Sequence, residues 1–219
     1  MRLWCVLLLA LAYGLNGHAE GDLNLKVSFI EALTREPLLN SQVIITYSNQ
    51  SKVFKTGKKN NSVDINIPLN HIYNMRCVKN GYASKNIEID VTEIPEENVE
   101  GGFKVILDIT LFPMRPEFDL SVLKEPIGKC AYEVEIDDLK WDMAHTEEYK
   151  SVLDKELKRV CNLYQKQYLR WKSKGDKSMS KIKYKQALKQ YRKALNFSFE
   201  NEDLTETYRK LKMKIRRYS

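Results

Sequence analysis

Proton transfer, nucleophilic attack and metal ligation fall most readily to histidine and cysteine, and this chain has three of the first and four of the second. His18 and Cys5 lie in an apolar leader that is expected to be removed. His71 and His145 stand far apart, with no nucleophile or cysteine pair beside either. The remaining Cys77, Cys130 and Cys161 are an odd set without a close pair, which is neither a disulfide framework nor a zinc site. Two readings are open for them: a bridge from Cys130 to Cys161, or buried thiols behaving as small hydrophobes. No G-x-S-x-G elbow, P-loop or dinucleotide-binding glycine pattern occurs, so acyl transfer and nucleotide chemistry have no foothold.

Carboxylates cluster twice, as Glu93, Glu96, Glu97 and Glu100 around Pro95, and as Asp137, Asp138 and Asp142 around Trp141. Neither has the spacing of a calcium loop, and paired catalytic carboxylates leave no local signature. Solvated acidic loops are the simpler account. The acidic and aromatic residues 137–142 carry the one enzyme alternative, a hydrolase or carbohydrate-active protein whose residues are scattered along the chain. No catalytic residue, metal or cofactor is expected.

Positive charge is the stronger signal. Residues 20–145 hold 14 Lys and Arg against 20 Asp and Glu, a balance of −6, whereas residues 146–219 hold 21 against 9, a balance of +12. The candidate interaction surface is therefore Lys181, Lys185, Lys189, Arg192, Lys193, Lys210, Lys214 and Arg217, a field that attracts polyanions or an acidic protein face. Two plainer readings stand beside it: a solvated helix surface whose cations suit the C-terminal dipole, and an intramolecular contact with the acidic segment before the tail.

The leader sets the compartment. Arg2, an apolar run over residues 3–15, and Asn16-Gly17-His18-Ala19 form the pattern of a secretory signal peptide, with Glu20 as the expected new start. The apolar run is shorter than the roughly 20 residues a spanning helix needs. An exported chain is an improbable ligand for nucleic acid, and membrane association is expected to be peripheral at most.

These groups must be positioned by two kinds of element. Period-two alternation, the mark of a half-buried strand, runs through Leu23, Leu25, Val27 and Phe29; Val43, Ile45 and Tyr47; Val63, Ile65 and Ile67; Tyr73, Met75 and Cys77; Ile87, Ile89 and Val91; and Phe103 to Leu111. Residues 52–56 are expected as a hairpin partner between the second and fourth of these runs, which makes seven strands. Turn formers separate them at Arg35-Glu36-Pro37, Ser48-Asn49-Gln50, Lys59-Asn60-Asn61, Asn80-Gly81 and Gly101-Gly102. The spacing predicts an antiparallel sandwich over residues 20–113.

Residues 25–27 and 36–43, then Tyr73-Asn74-Met75-Arg76-Cys77-Val78-Lys79-Asn80-Gly81-Tyr82, resemble the carboxypeptidase regulatory-like domain, with Lys79-Asn80-Gly81-Tyr82 the most specific piece. The chain departs from that pattern at residues 58–61, where the family has an Asp-Gly turn. The resemblance implies a transthyretin-like sandwich and an accessory module without catalytic residues.

Residues 114–145 keep neither period, and Pro113, Pro116 and Pro126 interrupt any helix. Ile127, Ile136 and Trp141 argue for an extended linker packed on the sandwich. The stretch Leu120 to Lys129 resembles one that follows such sandwiches in Bacteroidetes envelope proteins. Beyond Thr146, an expected N-cap with His145 beside it as a surface residue, the period becomes helical through Leu153, Leu157, Val160, Tyr164, Tyr168 and Trp171. Gly175 and Asp176 are expected to end that helix. Tyr184, Ala187, Tyr191 and Ala194 mark a second, and Leu204, Tyr208, Leu211 and Ile215 a third, with Asn201 a candidate cap. Short loops predict an antiparallel array.

Tyr184-x-x-Ala187-x-x-x-Tyr191-x-x-Ala194-Leu195, with Trp171 and Gly175 before it, resembles a tetratricopeptide repeat. Ser178 and Phe199 stand where that repeat has an aromatic residue and a proline, and one unit is too few for a solenoid. The whole reads as an α+β chain. It is expected to be an exported, periplasmic or envelope-associated non-enzymatic protein that binds other envelope proteins or supports structure, with polyanion binding by the tail as a further alternative.

Overall fold

The computed structural model describes residues 21–99, 102–198 and 202–217, with the backbone alone for 96, 202, 203, 214, 216 and 217. The expected leader, Glu100 and Gly101, Phe199 and the cap candidate Asn201 lie outside the described residues.

Alternation becomes burial strand by strand. In β1 (Asp22–Glu31) the side chains of Leu23, Leu25, Val27 and Phe29 are fully buried. Each contributes about 1.5–3 kcal/mol when removed from water, so a one-residue slip, which would turn all four outward, is strongly disfavoured. β2 (Gln42–Tyr47), β3 (Gln50–Lys55), β4 (Ser62–Pro68), β5 (Ile72–Val78), β6 (Lys85–Asp90) and β7 (Phe103–Leu111) follow. Ser48 and Asn49, both at positive φ, make the two-residue turn joining β2 to β3.

Two differences from the expected seven-stranded antiparallel sandwich stand out. Among the described residues there are nine strands, because Pro126–Glu133 and Asp138–Trp141 form β8 and β9, an antiparallel hairpin. Both sheets are also mixed. One has the order β4-β1-β7, with β1 and β7 parallel; the other has the order β3-β2-β5-β6-β8-β9, with β6 and β8 parallel. Alternation reports which face is buried and carries no information on strand direction. β3 pairs with β2 alone and forms a sheet edge, and β2 pairs directly with β5.

The β8–β9 hairpin escaped the period because its inward positions are Gly128, Cys130 and Tyr132, of which the first has no side chain to count. A Cβ on Gly128 would lie 3.3 Å from the Trp141 ring, so the glycine makes room for the indole. Ile127 and Trp141 pack on the sandwich core as expected. Ile136, in the hairpin turn, is instead 55 % exposed.

The helices are α1 (Met143–Ser180), α2 (Tyr184–Leu195) and α3 (Glu202–Arg217). α1 begins three residues before the expected cap. Asp142 caps it, its carboxylate accepting from the His145 backbone N–H at 2.9 Å, and Thr146 lies inside the first turn. Asp142→Ala is expected to cost about 1 kcal/mol, read as a lower urea midpoint. His145 is not a free surface residue: its Nε2 donates to the Pro126 carbonyl at 2.7 Å, anchoring the helix start to β8.

α1 also runs through Gly175 and Asp176 to Ser180, and this 38-residue helix serves two cores. Leu153, Val160 and Tyr164 pack with Ala32, Phe112, Phe118 and Leu123 at the end of the sandwich. Tyr168 packs with Ala187, Tyr191 and Ala194 of α2 and with Leu204 and Leu211 of α3. Among the described residues no helix is long and apolar enough to cross a membrane.

Candidate functional site

The basic surface is built on α2. Ala187 and Ala194 have no exposed area and Tyr191 is buried, so this face is pressed onto its neighbours and the opposite face meets solvent. Lys185, Lys189, Arg192 and Lys193, at helical spacings of three, four and seven to eight residues, are exposed there, and Lys181 precedes them in the connecting turn. Lys193 Nζ lies 4.4 Å from the centre of the Trp171 ring on α1, and Lys174 Nζ lies 4.6 Å from it, so the indole carries two ammonium groups. Among the described residues Lys181, Lys185, Lys189 and Arg192 form no ion pair.

Lys210 differs, being paired with Glu206 at 3.1 Å on α3. The side chains of Lys214 and Arg217 lie outside what is described. No ion pair joins the described tail cations to Asp137, Asp138 or Asp142.

Those three acids serve local structure. Asp137, at positive φ in the β8–β9 turn, accepts from Tyr132 OH and from Asn98 Nδ2, both at 2.6 Å. This ties the hairpin to the 3-10 turn at Glu96–Asn98. Asp138 accepts from the Leu139 N–H, and Asp142 is the helix cap. Among the described residues no group of three or more potential ligands could hold a metal ion.

All three described thiols are free, so no bridge joins Cys130 to Cys161. Burial pushes Cys77 and Cys130 up to about 12, which leaves both as neutral hydrophobes. His71 packs against Tyr47, tilted, and Tyr73, edge-on, with ring centres 5.1 and 5.8 Å away.

The residue that sequence reasoning passed over is Lys85. It begins β6 directly opposite Cys77 on β5, and it shares the inward face with Ile87 and Ile89. Its side chain is 6 % exposed. Burial pushes its ammonium down to about 8; Cys77 and Asp154 oppose the fall, but the Cys77 thiol is neutral at pH 7 and lends no charge. Lys85 lines a cavity of about 440 Å³ between the end of the sandwich and the first half of α1, with Ile109 and Phe112 on one side and Leu153 and Leu157 on the other. The sequence signal was available: Lys85 sits two residues before Ile87, in phase with the buried positions of its strand.

No protein-family model matches the chain, and no curated protein matches it. Several solved structures are distantly similar, three of them as follows. One is catechol 1,2-dioxygenase from Acinetobacter sp. ADP1 inhibited by bound mercury, at TM-score 0.33 and 12% identity over 44% of this chain and 54% of that one. Another is 3-chlorocatechol 1,2-dioxygenase from Rhodococcus opacus 1CP, at 0.32 and 10%, over 42% and 60%. The third is S.CueP, at 0.28 and 15%, over 40% and 62%. The chain thus spans under two thirds of each, and at these scores the likenesses carry no argument about its chemistry.

Proposed function

We propose that the chain is an exported, envelope-associated accessory protein that works by binding an acidic face of another envelope protein, without catalytic turnover. The observation that carries this reading is the exposed row Lys185, Lys189 and Arg192 on α2, without an ion-pair partner among the described residues. Docking of Ala187, Tyr191 and Ala194 seats the α2 backbone, so the row projects from one face of the helix. The resemblance of the sandwich to accessory regulatory-like domains, and the signal-like leader, support the same reading.

Crosslinking and pull-down from native cells is expected to capture an envelope protein with the parent chain. Capture should fall about tenfold or more with Lys185→Glu, Lys189→Glu and Arg192→Glu combined, and should weaken with salt, since exposed charges are screened within about 8 Å at physiological ionic strength. Recovery of the free monomer alone overturns the reading. Salt-sensitive retention on heparin or lipopolysaccharide without a protein partner replaces it with polyanion binding.

A further inference from the structure

A lysine on a half-buried strand face normally lets its ammonium reach water along its flexible stem. Lys85 does so only in small part: it keeps 6 % of its surface exposed, with α1 lying across the end of the sandwich beside it. Among the described residues Lys85 donates no hydrogen bond and forms no ion pair. Its Nζ lies 5.3 Å from the centre of the Phe112 ring. A buried cation of this kind calls for a compensating anion, and the space beside it is large enough to admit one.

The other charges around the cavity balance in number, and Asp154 is the acid among them whose field favours the charged form of Lys85. Arg35 from the turn after β1, Asp108 from β7, and Lys150 and Asp154 from α1 all line it and are all exposed, two cations against two acids. Asp108 already accepts a hydrogen bond from the Ser28 hydroxyl, and Lys150 is paired with Glu147 at 3.5 Å. Lys85 is therefore the one buried charge of the lining, and Ile109, Phe112, Ile127, Leu153 and Leu157 supply its apolar part. A volume of about 440 Å³ lies within the range of small-molecule sites.

We propose that this cavity binds a small amphiphilic carboxylate, with the carboxylate accepting from Lys85 Nζ and the apolar body lying against Phe112, Ile127, Leu153 and Leu157. The site is separate from the basic face of α2 and does not depend on the reading given for it. Selection follows from the two halves of the ligand: the apolar walls reject a small inorganic anion, and the buried ammonium favours a carboxylate over a neutral amphiphile of equal length.

Calorimetric titration of the full chain with octanoate and with 1-octanol tests this. Octanoate is expected to bind more tightly than 1-octanol at pH 7. Lys85→Met, which preserves length and apolar volume, is expected to weaken octanoate at least tenfold and leave 1-octanol unchanged. Octanoate should also weaken as the pH rises above 8, by up to about tenfold per unit as the free ammonium loses its proton. Leu157→Trp, filling the cavity from the helix side, should remove both. Equal affinity for the two probes, octanoate binding that survives Lys85→Met, or no binding of octanoate overturns the proposal.

Discussion

The Lys85→Met chain, free of ligand, should unfold roughly 3–10 °C above the parent at pH 7, and the gap should close as the pH is raised from about 8 to 10.5. A folded-state fall from 10.5 to about 8 corresponds to roughly 3 kcal/mol at about 1.4 kcal/mol per unit. Below pH 8 the lysine is charged in both states, so the folded chain carries the whole desolvation penalty. Between 8 and 10.5 the unfolded chain still holds a proton that the folded chain has released, so raising the pH favours the fold. Above 10.5 the amine is neutral in both, and the penalty is gone. Methionine removes the penalty at every pH. It also forfeits the cation–π contact with Phe112, worth about 0.5–2 kcal/mol, which is why the net gain is set at about 1–3 kcal/mol. Other lysines and tyrosines titrate in the same range, but they are common to both chains and cancel in the difference. A gap that is absent at pH 7, or that widens on going alkaline, contradicts the burial of the charge.

What the amino-acid pattern could show divides along one physical line. Burial of alternating or helically spaced apolar residues is written directly into the sequence. β1, β2 and β4 to β7 are accordingly found where Leu23, Val43, Val63, Tyr73, Ile87 and Phe103 place them, and the stripe from Leu153 to Trp171 does lie on one helix. Features set by contact between distant segments are not. The parallel pairing of β1 with β7 and of β6 with β8 depends on how long connections return. The β8–β9 hairpin depends on a glycine that gives way to Trp141, a contact that hydrophobic periodicity does not register.

The same division applies to the candidate sites. The exposed cations of α2 were legible because exposure is the default for lysine and arginine. Lys85 was not, because an inward lysine contradicts that default, and only its phase with Ile87 and Ile89 betrays it. The acids at 137–142 looked chemically suggestive together, yet each is spent separately: Asp137 on Tyr132 and Asn98, Asp138 on its own strand, Asp142 on the helix start. Clustering in sequence here reflects a tight turn followed by a cap, both of which favour aspartate for backbone reasons.

Gly175 is the second place where a contact between segments decides the outcome, and Gly175→Ala should destabilise the chain by about 1–3 kcal/mol despite improving the helix. In isolation alanine gains up to about 1 kcal/mol over glycine in a helix interior. Here an added Cβ would lie 2.2 and 2.4 Å from Cε1 and Cδ1 of Tyr191. The ring has little room to swing aside: Tyr191 is buried between Ala187 and Ala194, and its hydroxyl donates to Asp176 at 2.8 Å. Overpacking of a fitted contact typically costs about 1–3 kcal/mol, so the clash outweighs the propensity and α2 must move off α1. Truncating the ring relieves the clash, so in a Tyr191→Ala background the same glycine replacement should become neutral or stabilising. That reversal distinguishes a specific contact from general damage to the helix, and a cost that is equal in both backgrounds refutes the contact. Because the seat of α2 sets where Lys185, Lys189 and Arg192 project, Gly175→Ala should also weaken capture of an acidic partner while leaving every charge in place.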